Sequence, residues 1–136
     1  MDPEMIDVCC GLIIDGDQIL LARRHPEGSQ GGLWEFAGGK QEPGESLAQA
    51  LARELKEELC IDLSVGDYLG YSDHHYGDKS VRLHGFICPW LPQKIVLTGS
   101  HDRYQWQAIT QVDTTTLAPA DIPLLHRLQS QRMALT

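Results

Sequence analysis

Glu54, Glu57 and Glu58 stand at i, i+3 and i+4 in the run Arg53-Glu54-Leu55-Lys56-Glu57-Glu58-Leu59. On a helix that spacing sets three carboxylates on one side, where each pair of like charges costs roughly 0.2–0.5 kcal/mol. A hard divalent cation reverses the sign, because Mg²⁺ takes oxygen ligands and keeps water and substrate phosphate oxygens in its shell. The plainer reading is an acidic solvated face. A helix built for solubility, however, sets its acids opposite the apolar stripe and spaces them against lysines; these border the stripe. Just upstream, Gly38-Gly39-Lys40-Gln41-Glu42-Pro43-Gly44-Glu45 is a glycine-rich loop whose backbone can approach a ligand closely.

The element that must position these groups is legible around them. Ser46 followed by Gln49 forms a capping box, so the helix starts at Ser46 and runs toward Ile61. Leu47, Leu51, Leu55 and Leu59 recur every four residues, with Ala48 and Ala52 beside them, as one buried stripe. Glu54 and Glu58 fall on its edge and Glu57 just beyond, while Lys56 and Gln49 point to the wet side.

Gly39, Glu45 and the run from Arg53 to Ile61 resemble the Nudix box: Gly, five residues, Glu, seven residues, then Arg-Glu-apolar-x-Glu-Glu-x-Gly-apolar. Every fixed position matches except one, since Cys60 stands where the family has glycine. A glycine there would take a left-handed cap without steric cost, so Cys60 bears on how the helix ends and not on the ligands. The resemblance implies an α/β fold, the Nudix α/β/α sandwich with a mixed sheet between helices; periodicity alone gives a generic α/β class. It implies Mg²⁺, with Mn²⁺ as an alternative, held by Glu54, Glu57, Glu58 and the backbone carbonyl of Gly38. It makes Glu54 the residue that orients or deprotonates water. Arg53 would pair with Glu57 and fix its rotamer, and Glu45 would orient the same cluster. The implied substrate is a nucleoside diphosphate linked to another group, and a nucleoside triphosphate would leave as monophosphate and pyrophosphate.

Along the chain, 5–14 and 18–24 read as strands around the turn Asp15-Gly16-Asp17. In proteins resembling this one an arginine at the second strand's end contacts substrate, and Arg24 matches it. After the loop 25–32, residues 33–37 form a short strand with Trp34 and Phe36 on one face and Glu35 on the other. Phe36 is either a core aromatic or a base contact, and Gly39 and Lys40 in the following loop join the substrate-binding set. Residues 62–76 and 80–90 read as two long strands about Gly77-Asp78-Lys79. Tyr76 either lines the base pocket, as an aromatic does in MutT-like relatives, or packs on its own hairpin. His74 and His75 face opposite ways on a strand and read as strand and rim residues rather than as metal ligands. Residues 89–97 cross over, 99–102 form a loop, and 104–109 form a further strand. Many relatives carry a glutamate in that loop; here Ser100 takes its place, with Asp102 two residues on. A last helix follows Leu117-Ala118-Pro119-Ala120-Asp121 and ends near Gln131, with Leu124, Leu125 and Leu128 as its apolar face.

The stretches 32–40 and 117–125 resemble the branch of the family that hydrolyses cytidine triphosphate. In the branch that cleaves 8-oxo-dGTP, the position of Asp121 is typically asparagine, which both donates and accepts. An ionised aspartate only accepts, which suits the exocyclic amine of cytosine, including in 5-modified dCTP. Asp121 equally suits the N-cap of the last helix, and both roles can hold at once. The 8-oxo-dGTP diphosphatase reading is the alternative within the enzyme class. Dinucleoside polyphosphates or nucleotide sugars come after it. A nucleotide sensor that binds without cleaving is the alternative outside it, and the loss of a metal glutamate would have marked one; none is lost.

Size and charge bound the rest. The 136 residues make one domain, 1–136, with no internal repeat. A net charge of −8 argues against polymeric nucleic acid as a partner, while metal ions can still admit an anionic nucleotide. No apolar run approaches the roughly 20 residues of a membrane span, and Met1-Asp2-Pro3-Glu4 lacks a signal peptide's basic start. Cys9, Cys10, Cys60 and Cys88 show neither metal spacing nor a disulfide framework, so the expectation is a cytoplasmic protein with reduced thiols. The sequence leaves monomer and homodimer open.

Overall fold

The computed structural model describes residues 5–28 and 30–134. The acidic start Met1–Glu4 lies outside them, as does Ser29 within the loop after the second strand.

Two helices sandwich a mixed sheet. The strands are β1 (Met5–Asp15), β2 (Gln18–Arg24), β3 (Trp34–Glu35), β4 (Gly38–Lys40), β5 (Tyr68–Tyr76), β6 (Lys79–Pro89) and β7 (His101–Ala108); the helices are α1 (Leu47–Leu59) and α2 (Ile122–Ala134). The central order is β3-β2-β1-β6-β5, with β4 paired to β1 and β7 to β2. β1 and β6 run parallel from Met5 opposite Ser80 to Ile14 opposite Pro89. The other pairings are antiparallel.

Alternation along β1 divides the core. Cys9 and Ile13 face α1 with Leu51, Leu55, Leu59, Phe86 and Cys88. Cys10 and Leu12 face the other way, with Phe36, Leu83, Leu124, Leu125 and Leu128. Being buried on both sides, β1 reads as one apolar run.

Helix α1 begins as its cap dictates. Ser46 Oγ accepts from the Gln49 amide at 3.1 Å, and the Ser46 amide donates to Gln49 Oε1 at 2.8 Å. It ends at Cys60, which takes the left-handed conformation at φ 57° and ψ 36° that a glycine would occupy without strain. The Cys60 amide donates to the Lys56 carbonyl at 3.1 Å, so the stop survives the exchange of residue.

Several boundaries differ from the sequence reading. The expected strand 62–76 begins only at Tyr68. Asp62 is held off the sheet by the crossing segment, its amide donating to Gln93 Oε1 at 2.8 Å and its carbonyl accepting from Gln93 Nε2 at 2.9 Å. Leu63 is buried beneath α1 instead of alternating in a ladder. The expected strand 33–37 is two short ones, because Phe36 and Ala37 leave the β2 pairing before Gly38 joins β1. The strand expected at 104–109 starts earlier, at His101, and α2 extends to Ala134.

Candidate active site

The three glutamates of α1 are graded in exposure as their angular positions require: the side chains of Glu54 and Glu58 are 15% and 18% exposed and that of Glu57 59%. Glu54 and Glu57 share a neighbour in Arg53. Its Nε and Nη2 donate to the two oxygens of Glu45 at 2.7 and 2.9 Å, a two-bond fork that fixes the guanidinium plane. Nη1 reaches Glu54 at 3.0 Å and Glu57 at 3.3 Å, and Nη2 also donates to the Lys40 carbonyl at 3.0 Å. The expected Arg53–Glu57 pair is present, but Glu45 is the closer partner.

Gly38 and Gly39 come beside these carboxylates because β4 pairs with β1, Gly38 opposite Cys10 and Gly39 opposite Cys9. A Cβ on Gly39 would lie 2.5 and 2.6 Å from the two oxygens of Glu54, so the absent side chain is where that carboxylate rests. A Cβ on Gly38 would meet backbone, with the Cys10 Cα at 2.7 Å and the Cys9 carbonyl carbon at 2.8 Å. Cys9 directs its thiol to the Gly39 carbonyl at 3.4 Å. Burial pushes that thiol up to about 11, so it stays protonated and offers no nucleophile.

A second group of charged side chains adjoins Glu58. Glu35 accepts from Arg24 Nη1 at 3.2 Å and meets His101 Nε2 at 2.8 Å. The other ring nitrogen of His101, Nδ1, faces Glu58 Oε2 at 3.6 Å. Burial pushes the Glu58 carboxyl up to about 7; His101 and Arg24 oppose the shift, and the charges of Glu54 and Glu35 add to it. The alternation Trp34-Glu35-Phe36 was the available signal for Glu35. Nothing in the sequence singled out His101, which lies in a loop read for Ser100 and Asp102. Asp102 forks onto Arg23 at 3.0 and 2.5 Å, so the two arginines of the strand end divide: Arg23 goes to Asp102 and Arg24 to Glu35.

On the opposite face, the segment before α2 docks on the strand of Trp34. The Ala118 amide donates to the Trp34 carbonyl at 2.8 Å, and the Phe36 amide to Asp121 Oδ2 at 2.7 Å. Asp121 is 4% exposed and Phe36 3%. The Asp121 carboxylate is thus engaged by a distant strand. Burial raises its carboxyl well above the usual range, the charge of Glu35 adding to the rise while the Phe36 amide and Arg24 oppose it. Phe36 lies within the core with Leu12, Leu21 and Leu125. Tyr76 shares this face through its pairing with Lys79, its ring 4.3 Å from that of His74. It stands five positions along β6 from His84, the partner of Cys9, or about 17 Å from the level of Gly39. Lys40 is exposed. The structure therefore brings Gly38, Gly39, Glu45, Arg53, Glu54, Glu57 and Glu58 together. It sets Phe36 and Asp121 behind them and leaves Tyr76 at the far end of the hairpin.

The donor set suits a hard cation. Glu54, Glu57, Glu58 and the loop carbonyls offer oxygen alone, the ligand type that Mg²⁺ takes. Among the described residues no three His, Cys, Asp or Glu side chains already converge as around a bound ion. Arg53 Nη1 holds Glu54 and Glu57, while Glu58 Oε2 faces His101.

The model of the NUDIX domain matches residues 4–128. The chain belongs to the NUDIX domain family. This Nudix chain is 40% identical over 131 residues to the CTP pyrophosphohydrolase of Escherichia coli K12, covering 96% of each. It is 36% identical over 88 residues to the 8-oxo-dGTP diphosphatase of Proteus vulgaris, covering 64% of this chain and 79% of that one. The solution structure of the E. coli ORF135 protein superposes with a TM-score of 0.86 at 39% identity, covering 97% of this chain and 94% of that one. As a member of this family the protein is a hydrolase, and its sandwich is the Nudix fold. No helix among the described residues is long and apolar enough to cross a membrane.

Proposed function

We propose that this Nudix hydrolase is a Mg²⁺-dependent pyrophosphohydrolase that cleaves nucleoside and deoxynucleoside triphosphates to monophosphate and pyrophosphate, cytosine nucleotides before others. The observation that carries the reading is the cluster itself: three carboxylates on one turn of α1, against Gly38-Gly39, with Arg53 forked onto Glu45 behind them. Glu54, Glu57, Glu58 and the Gly38 carbonyl would hold Mg²⁺, with Mn²⁺ as a substitute. When bound, the ion supplies charge neutralisation on the phosphate oxygens. Glu54, resting over Gly39, orients the attacking water and takes its proton. Glu45 keeps Arg53 in plane, and Arg53 keeps Glu54 and the Lys40 carbonyl in register, so the acid, loop and helix move as one unit. Arg24 is the cation placed for the anionic substrate, and Lys40 adds positive charge at the loop.

Asp121 is the base end, with Phe36 packed in the core beside it and lending it a backbone amide; Tyr76, at the far end of the hairpin, lies outside it. Asp121 Oδ2 is occupied by the Phe36 amide, which leaves Oδ1 for the base. In either protonation state that carboxyl can accept from the exocyclic amine of cytosine. The name of the E. coli relative points the same way. One observation favours the second reading, 8-oxo-dGTP: burial raises the Asp121 carboxyl, and once protonated it donates and accepts as asparagine does.

The deciding experiment is pyrophosphate release with Mg²⁺ from CTP, dCTP, 5-methyl- and 5-hydroxy-dCTP, dGTP and 8-oxo-dGTP, ranked by kcat/KM. A cytosine preference that narrows in Asp121→Asn is the expected result. A strong 8-oxo-dGTP preference overturns the base assignment, and no pyrophosphate from any of them overturns the reaction.

A further inference from the structure

His101 opens β7 with its side chain 1% exposed, and the reaction as read above gives its ring no task. Nε2 is held by Glu35 at 2.8 Å. Nδ1 faces Glu58 Oε2 across 3.6 Å, and these two atoms are the buried side-chain polar atoms left without a partner among the described residues. Burying polar atoms unpartnered is costly, and an apolar side chain would fill the same space without that cost. The arrangement also sorts the two oxygens of Glu58. With Oε2 enclosed against the ring, Oε1 is the oxygen left to face the helix's other carboxylates.

We propose that His101 is a positioning residue of the metal site, whose ring, fixed by Glu35, holds Glu58 in the orientation in which it ligates the divalent cation. The inference rests on the reading of Glu58 as a ligand. Ligating carboxylates are commonly oriented by such an outer partner, and its loss costs about 10–100-fold in metal affinity. Glu35 also holds Arg24 at 3.2 Å, so the same ring ties the substrate arginine to the cation's ligand. From the stretch 99–102 the His101 ring reaches the side chain of Glu58, while the amide of Thr98, just before it, donates to the Glu58 backbone carbonyl at 3.2 Å.

Mn²⁺ binding to the full chain without nucleotide, followed by EPR of the free ion beside thermal unfolding, tests it. His101→Ala and His101→Leu are expected to weaken Mn²⁺ affinity about tenfold or more, while His101→Asn, which keeps an amide near the place of Nδ1, retains most of it. Excess Mg²⁺ then restores turnover in His101→Ala. Parent-like affinity in His101→Ala, whatever its Tm, overturns the proposal, and so does His101→Leu binding as well as His101→Asn, since the ring would then only fill space. Should His101→Ala fail to fold, Glu35→Gln keeps the shape and is expected to lose affinity to a smaller degree; unchanged affinity there is equally fatal. Glu58→Gln separates the two levels. If it binds Mn²⁺ like the parent, the ligand assignment falls and the proposal with it; if it alone loses affinity, only the role of His101 falls.

Discussion

Arg53 meets Glu45 through two parallel bonds, Nε to Oε2 at 2.7 Å and Nη2 to Oε1 at 2.9 Å, across the junction between the glycine loop and α1. The same guanidinium reaches Glu54 and the Lys40 carbonyl, each at 3.0 Å. One planar side chain therefore joins loop backbone, loop acid and helix acid. A lysine cannot do this, because its ammonium is a point charge without the fork. Arg53→Lys is expected to keep the fold and lower kcat about 10–100-fold, by analogy with other outer-shell losses, as steady-state kinetics would read. An unchanged kcat would mean the fork is only structural.

Gly38 and Gly39 are adjacent but fail differently. An added methyl at Gly38 meets the backbone of Cys9 and Cys10, which cannot move without opening the β1–β4 pairing, so Gly38→Ala should lower Tm sharply. At Gly39 the methyl meets the carboxylate of Glu54, the mobile end of a side chain. Gly39→Ala should therefore keep most of its Tm while losing activity. Equal thermal losses in the two variants would contradict this division.

The capping box, leucine stripe and carboxylate spacing of α1 were legible because each depends on residues within one or two turns of one another. So was the two-sided burial of β1, which needs no partner to be seen. The partners of Arg23, Arg24 and Asp121 were not. Arg23–Asp102 and Arg24–Glu35 depend on which strands neighbour β2, and Asp121–Phe36 joins residues 85 apart in the chain. Local rules make Asp121 a helix cap, an acid before Ile-Pro, and only the resemblance makes it a base reader. Only the docking of residues 117–121 on the Trp34 strand reveals its bond. His101 escaped for the same reason: its meaning comes from Glu35 and Glu58, which lie on other elements.

Cys60 holds a conformation that costs an L side chain about 1 kcal/mol or somewhat more, at φ 57°. Cys60→Gly removes that cost, partly offset by the freer unfolded chain. The expected gain is roughly 3 °C in Tm without change in kcat, read by calorimetry. A lower Tm would show that the cysteine side chain makes a compensating contact.

Asp121 has its carboxyl raised in the folded state, first by burial and then by the charge of Glu35, with the Phe36 amide and Arg24 opposing. A group raised on folding holds a proton that the unfolded chain has released, so its contribution to stability declines as pH climbs from the ordinary aspartate range toward the folded value. Asp121→Asn keeps an acceptor for the Phe36 amide and removes that slope. The variant should gain on the parent in Tm as pH rises from about 4 to 7, aspartate's ordinary pKa being about 3.9. Parallel Tm profiles would contradict the buried carboxyl as the source.

The central claim is that the carboxylates of α1 hold the cation that drives cleavage to monophosphate and pyrophosphate. The most direct test is ³¹P NMR of CTP turnover in Mg²⁺ by the parent and by Glu57→Gln. Glu57 is the cleanest member to change, since its side chain is 59% exposed and the substitution leaves the core alone. The account predicts CMP and pyrophosphate from the parent and no measurable turnover from the variant at equal Tm. Hydrolysis by Glu57→Gln at the parent's rate, or CDP and phosphate as the products, would contradict it.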